Sequence, residues 1–305
     1  MTAYLFIILA VVCFAAQFAF TKLYEEAVGQ TATASLVMLV GTSLVGAVTF
    51  FVAGGARVCL SPISLIWAAV FAVIMIPYYM IGIKILSLGS LAIYSMFMML
   101  GGMLVPFGYG VLFLHEQISP AKAVGTALLV IFIVLQALWQ KESTGQKTGG
   151  KGTRYLFFAL CLVIFFINGM TGVVAKAHAI SAGAVDEKSF TVLYCTLTSL
   201  LSLMLLLMSC LKKSDRNEKG FRIKRALRGK PCLIMVLLGA AAYGGNFLQL
   251  LAADTVPASV QFPLVSGGVI VLSALVSVIF FKERLSQKEW ISVAGAFLST
   301  FLFAF

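Results

Sequence analysis

Carboxylates are scarce in this chain of 305 residues, and none of the eleven lies inside a long apolar run. Glu25, Glu26, Glu116, Glu142, Asp186, Glu187, Asp215, Glu218, Asp254, Glu283 and Glu289 all fall at the ends of such runs or in the breaks between them. No acid is therefore placed mid-membrane to carry a proton. Charged residues make up only 11% of the chain and hydrophobic ones 61%, too little polar side chain to cover a water-soluble domain of this size. Strand-like alternation is missing, which argues against an outer-membrane barrel. No Walker-type glycine loop is present, which disfavours an ATP-driven pump. His115 and His178, without paired carboxylates, offer no convergent nucleophile, base or metal cluster, so a polytopic membrane enzyme is the weaker reading and no cofactor is expected. The six cysteines, Cys13, Cys59, Cys161, Cys195, Cys210 and Cys232, show no close pairing and read as small buried residues rather than disulfides or metal ligands.

What fills the chain instead is apolar sequence in lengths that match a bilayer. A spanning helix needs roughly 20 apolar residues, at ~1.5 Å per residue across ~30 Å of hydrocarbon. Ten runs qualify: 3–21, 33–54, 63–83, 91–113, 121–139, 155–175, 190–210, 232–252, 257–280 and 287–305. The breaks carry turn or charge signals, among them Gly54-Gly55-Ala56-Arg57, Ser119-Pro120, Lys147-Thr148-Gly149-Gly150-Lys151 and Ser214-Asp215-Arg216-Asn217. The first run lacks the basic stretch and Ala-x-Ala site of a signal peptide and is expected to be a retained helix.

Two short polar turns, Leu114-His115-Glu116-Gln117-Ile118-Ser119 and Phe281-Lys282-Glu283-Arg284-Leu285-Ser286, recur 167 residues apart, each before the last run of its half. Five runs per half mean that an odd-numbered unit is repeated and that its copy crosses the bilayer in the opposite sense. The expected architecture is thus an all-α integral membrane protein of ten transmembrane helices in two inverted five-helix repeats, 1–140 and 155–305, joined by a basic linker, 141–154. Glu116 and Glu283 are expected to accept backbone N–H bonds at the start of the helix that follows each.

The net charge of +11 is a matter of topology. Eighteen Lys and Arg fall in the connections after odd-numbered runs, nine of them from Lys212 to Lys230, against Arg57, Lys122, Lys176 and Lys188 on the other side. Basic residues collect on the cytoplasmic face, which places both termini outside it. The Lys212–Lys230 stretch could also meet anionic lipid headgroups. With Phe221 as its one interleaved aromatic, it does not support a base-stacking surface, and no nucleic-acid partner is expected. Lys22 and Lys176, closing the first run of each half, are expected to snorkel to the interface, and Lys84, His115 and His178 to occupy solvated or interfacial positions.

Polar side chains within the runs mark the candidate site, because in lipid they need a cavity or a partner. They are Gln17, Tyr78, Tyr79, Tyr94, Asn168, Tyr243, Asn246, Gln249 and Gln261, with Ser95, Thr171 and Ser266 beside them. Tyr243, Asn246 and Gln249 are spaced three apart and share one helical face. Interhelical hydrogen bonding is the competing explanation for any one of them, at about 0.6 kcal/mol per bond. As a set they describe a polar, uncharged cavity suited to a neutral or zwitterionic solute, or to a cation held on tyrosine faces. Gly101-Gly102 and Gly267-Gly268 occupy nearly matching places in the two halves and suit close packing, or hinging. Pro77, Pro106 and Pro263 add candidate kinks.

With these residues in place the chain resembles the drug/metabolite transporter superfamily, in particular its ten-helix EamA-type branch. The resemblance covers nearly the whole length. It rests on the paired five-helix repeats, the Glu-x-Ile/Leu-Ser turns (Glu116 to Ser119, Glu283 to Ser286), the lysines closing helices 1 and 6, and Ser266-Gly267-Gly268 before Phe-Phe-Lys-Glu-Arg. Three features depart from the family pattern. The glutamates follow His115 and Lys282 where the family commonly has glycine, Gln17 stands in the region where small multidrug-resistance relatives carry a membrane glutamate, and family members usually keep both termini in the cytoplasm. The resemblance implies a carrier working by alternating access in the cytoplasmic membrane, with a small-molecule substrate and the lipid bilayer as partners. It also implies that helices 5 and 10 are packing elements or the contacts of a homodimer. Family substrates include amino acids, sugars and their nucleotides, choline-like cations and drugs. A lipid or lipid-linked-sugar flippase of the same fold is the alternative. The basic-loop count predicts that a reporter fused after Phe305 is active only if it works outside the cytoplasm; cytoplasmic fluorescence of a C-terminal fusion would reverse the orientation.

Overall fold

In a computed structural model the described residues are 2–115, 119–139, 151–211, 223–253, 255–256 and 258–302. Glu116 and its turn partners Gln117 and Ile118, the linker lysines Lys141 and Lys147, the basic residues from Lys212 to Arg222, and Asp254 lie outside them. The described chain is all helical. Its ten long helices are α1 (Thr2–Val28), α2 (Ala32–Ala53), α3 (Pro62–Leu88), α4 (Leu91–Leu114), α5 (Pro120–Trp139), α6 (Lys151–Ala179), α7 (Glu187–Leu211), α8 (Lys230–Ala253), α9 (Ala258–Ile279) and α10 (Gln287–Phe301). Among the described residues eight helices are long and apolar enough to cross a membrane: α1 to α4 and α6 to α9. Their outer faces carry exposed Val52, Leu112, Phe113, Ile279 and Phe280, each with more than 60% of its surface free. A surface of that kind suits lipid and not water. By helix length and hydropathy this is a multi-pass membrane protein.

Several helices outrun the apolar runs that announce them. α1 continues through Lys22, Glu25 and Glu26 until Gly29, whose φ of 89° ends it. α3 continues past Ile83 through Lys84 to Leu88. α7 starts three residues before its apolar run because Asp186 caps it, accepting the Ser189 amide at 3.0 Å. Burial opposes the charge on Asp186, yet hydrogen bonds from Ser189 together with the Asp186 and Lys188 amides outweigh it and hold the carboxyl below its usual range. Hydropathy reports immersion in lipid, whereas the helix ends where a cap or a glycine ends it.

The chain divides into two compact units: 1–19, 88–172 and 245–305 in one, 20–87 and 173–244 in the other. Each draws on both halves of the sequence, and α1, α6 and α8 contribute residues to both units. Within the first unit α4 packs on α9 and α5 on α10; within the second α2 packs on α7. Every one of these pairs is five helices apart in chain order.

Glycine sets the closest approaches. In the first unit a methyl group on Gly101 of α4 would overlap the backbone carbonyl of Phe165 in α6, and one on Gly102 would lie 2.7 Å from the Asn168 amide nitrogen. In the same unit, a methyl on Gly268 of α9 would lie 3.0 Å from Val11 in α1. Close packing is thus the role of both glycine pairs, with Gly267 against Thr300 and Phe297 of α10. In the second unit Gly46 of α2 lies under the ring of Tyr243, which a methyl would meet at 2.5 Å, and Gly239 of α8 faces Val45.

The carboxylate of Glu283 corrects an expectation. It does not cap the helix that follows it. Instead it accepts the Leu91 amide at 3.0 Å and the Ser90 hydroxyl at 2.7 Å, closing the start of α4, and also bonds Ser277. The following helix, α10, has its own capping box, in which Glu289 accepts the Ser286 amide at 2.6 Å and the Ser286 hydroxyl accepts the Glu289 amide. The residues before the two turn glutamates share a conformation: His115 and Lys282 have φ of 53° and 52°. That is the left-handed region where glycine is free of strain. Two other placements differ from expectation. His178 is buried, with its Nε2 3.0 Å from the Ser64 hydroxyl and its ring stacked on Phe190 at 3.8 Å. Lys22 is only 5% exposed, so it sits inside its unit and does not reach along the surface.

These contacts predict opposite effects for two single substitutions. Gly101→Ala should destabilise by about 1–3 kcal/mol or more, because backbone cannot yield as a side chain does. Lys282→Gly should stabilise by roughly 1 kcal/mol through release of left-handed strain. Thermal unfolding in detergent measures both, and equal melting temperatures for the two variants would contradict this packing.

Candidate functional site

The nine polar residues marked by the sequence fall into both units. Tyr78, Tyr79 and Tyr243 belong to the second, and Gln17, Tyr94, Asn168, Asn246, Gln249 and Gln261 to the first.

In the second unit α2, α3, α7 and α8 bring a polar aromatic cluster together. Thr42 donates to the Met38 carbonyl at 2.9 Å and also lies 3.3 Å from the Tyr79 hydroxyl. Tyr243 hydrogen-bonds the Cys195 thiol, and Tyr194 bonds Thr191. Tyr194 stacks on Phe71 at 4.1 Å, Tyr243 meets Phe50 edge-on at 6.5 Å, and half-buried Tyr78 leans on Tyr79 at 5.3 Å. Cys195, Thr198 and Ser202 share one face of α7 by helical spacing. The hydroxyls of Thr198, Ser202 and Ser43 are buried with no hydrogen-bond partner among the described residues. The cluster therefore combines uncharged donors with tyrosine faces. That combination holds neutral polar groups by hydrogen bonds and cations by the ring quadrupole.

Thr42 and Tyr194 were not singled out by sequence. Tyr194 lies four residues into the run 190–210, where a tyrosine resembles an interfacial anchor. Because α7 starts at Glu187, it is in fact two turns inside the helix. Cys195 is a small buried residue with a free thiol, as the sequence reading expects.

In the first unit some amides are taken up by packing. Asn168 of α6 donates its Nδ2 to the Met98 carbonyl of α4 at 2.6 Å, beside the Gly101 and Gly102 crossing. Gln261, only 2% exposed, donates to the main-chain carbonyl of Gln249, joining α9 to α8. Tyr94 is buried edge-on against Phe18 at 5.6 Å, and its neighbour Ser95 bonds Ser273 of α9 at 2.5 Å. These groups hold helices together.

Asn246 is more exposed than these groups. It lies seven residues from the end of α8, roughly 10 Å along the helix from its end, and is exposed. Gln249, one turn on, is half-buried, as is Gln17 of α1. Among the described residues no group of three or more His, Cys, Asp or Glu gathers to hold a metal ion.

No family model and no curated protein matches the chain. Its fold is shared with 28 solved chains. One, described only as "Crystal structure of protein", superposes with a TM-score of 0.59 at 17% identity, covering 96% of this chain and 95% of that one. At that identity the likeness is one of fold.

Proposed function

We propose that this protein is a secondary transporter that moves a small polar metabolite or organic cation across the cytoplasmic membrane by alternating access. The observation that carries the reading is Asn246, an exposed amide deep in an apolar helix, with Gln249 one turn on. In lipid a polar group needs a cavity or a partner, and an exposed polar face on a membrane helix suits a polar solute. The absence of charge on this stripe favours a solute whose net charge is zero or positive.

Alternating access needs a scaffold with two equivalent arrangements, and an inverted repeat of five helices supplies one. Several contacts support that repeat. The packed pairs α2 with α7, α4 with α9 and α5 with α10 join the same helix of each half. Gly101 and Gly268 stand 167 residues apart, the spacing of the two turns, and Val11 and Phe165 stand 154 apart, the spacing of Lys22 and Lys176. Gly101 meets Phe165 while Gly268 meets Val11, the reciprocal exchange that a two-fold axis produces. In the second unit Gly46 of α2 meets Tyr243 of α8, while Phe71 of α3 meets Tyr194 of α7. The matching left-handed residues His115 and Lys282 complete the correspondence. These features fit ten membrane-crossing helices of the drug/metabolite transporter type.

Protein reconstituted in liposomes is expected to exchange a labelled solute chosen by thermal-shift screening of metabolites and organic cations. Asn246→Ala and Gln249→Ala should each lower the flux by roughly fivefold if one uncharged hydrogen bond to the solute is lost. Unchanged flux in both variants, with the wild-type melting temperature, would remove these residues from the site. Scrambling of labelled lipid in place of solute flux would indicate a flippase.

A further inference from the structure

The connection from α7 to α8 is the most basic stretch of the chain, and its described part, 223–230, has a fixed architecture. Residues 223–226 form one helical turn, closed by the Leu227 amide on the Ile223 carbonyl at 3.0 Å. Ile223 packs on the apolar core of the second unit and Ala226 belongs to it, with no exposed surface. Gly229, at a φ of 63°, then reverses the chain. Pro231 follows in the first turn of α8, where its missing N–H costs nothing.

This anchoring turns three cations outward together. Lys224, Arg225 and Arg228 are exposed, and with Ala27 and Pro231 they line one cavity of about 540 Å³. Among the described residues no carboxylate lines it. Glu26, beside Ala27, is exposed and leaves the local balance positive. Two guanidinium groups and an ammonium lining one space suit the oxygens of a phosphate group, which guanidinium binds through paired N–H bonds. Leu227, 50% exposed in the same turn, adds apolar surface beside the cations.

We propose that Lys224, Arg225 and Arg228 form a phosphate-binding site occupied by the headgroup of an anionic phospholipid, separate from the polar face of α8. The site lies at the start of a membrane helix and couples a phosphate cradle to an exposed leucine, which is the chemistry of a lipid headgroup with the beginning of its acyl region. A free phosphate shares the charged part of that chemistry and lacks the apolar part.

The test uses full-length protein in detergent, titrated separately with a fluorescent short-chain phosphatidylglycerol, the matching phosphatidylcholine and inorganic phosphate. Combined Lys224→Gln, Arg225→Gln and Arg228→Gln should weaken phosphatidylglycerol binding by about tenfold or more. Phosphatidylcholine binding and the lipid-free melting temperature should stay unchanged. A control with Arg57→Gln, Lys122→Gln and Lys188→Gln removes equal charge elsewhere and should bind as wild type. If inorganic phosphate binds in a manner lost only in the first variant while phosphatidylglycerol does not bind, the phosphate site stands and its lipid occupant is overturned. Equal binding of both anionic probes by wild type and the first variant, or an equal loss in the control, overturns the site itself. Should the triple variant fail to fold, Arg228→Gln alone is read by the same criteria.

Discussion

The approach of backbone to backbone at Gly101 and Phe165 is the constraint on which the first unit depends. In lipid, helices gain nothing by hiding apolar side chains from one another, since the solvent is as apolar as they are. Association then rests on dispersion over closely fitted surfaces and on a few polar bonds, and both require small residues at the crossing. Gly101 and Gly102 let α6 come near enough for Asn168 to reach the Met98 carbonyl. Gly268 does the same for α1, and Gly46 makes room for the ring of Tyr243 in the second unit. The closest crossings thus carry the pattern of exchange from which the repeat is inferred.

Polar groups in the helices divide by what they are bonded to. Asn168 and Gln261 spend their amides on main-chain carbonyls of neighbouring helices, His178 is tied to Ser64, and Glu283 closes the first turn of α4. The Glu283 contact joins the loop after α9 to a helix 192 residues earlier in the chain, so a residue of the repeated turn is part of the packing. Asn246 is exposed and Gln249 half-buried on α8.

Sequence made the helices legible and left their ends and partners obscure. The ten apolar runs each correspond to a helix because a bilayer imposes both length and composition. The ends of α1, α3 and α7 escaped because Lys22, Glu25, Lys84 and Glu187 are polar without being helix breakers, while Gly29 and Asp186 act as stops. The placement of Glu283 could not be read from its neighbours, since its partner lies in another helix. Tyr79 and Tyr243 were visible as polar points in apolar runs. Tyr194 was not, because it sits near a run's edge. The left-handed turns show a further mismatch between local preference and context: His115 and Lys282 occupy positions that glycine would fill without strain.

The central claim is that the exposed face of α8 at Asn246 meets water in the membrane. Thiol accessibility tests it most directly, with Asn246→Cys in a variant from which the six native cysteines have been removed. In liposomes, a membrane-impermeant charged thiol reagent is expected to modify this position, and transported solute is expected to slow the reaction. Modification by a lipid-soluble reagent alone, with none by the charged one from either side of the membrane, would contradict the account.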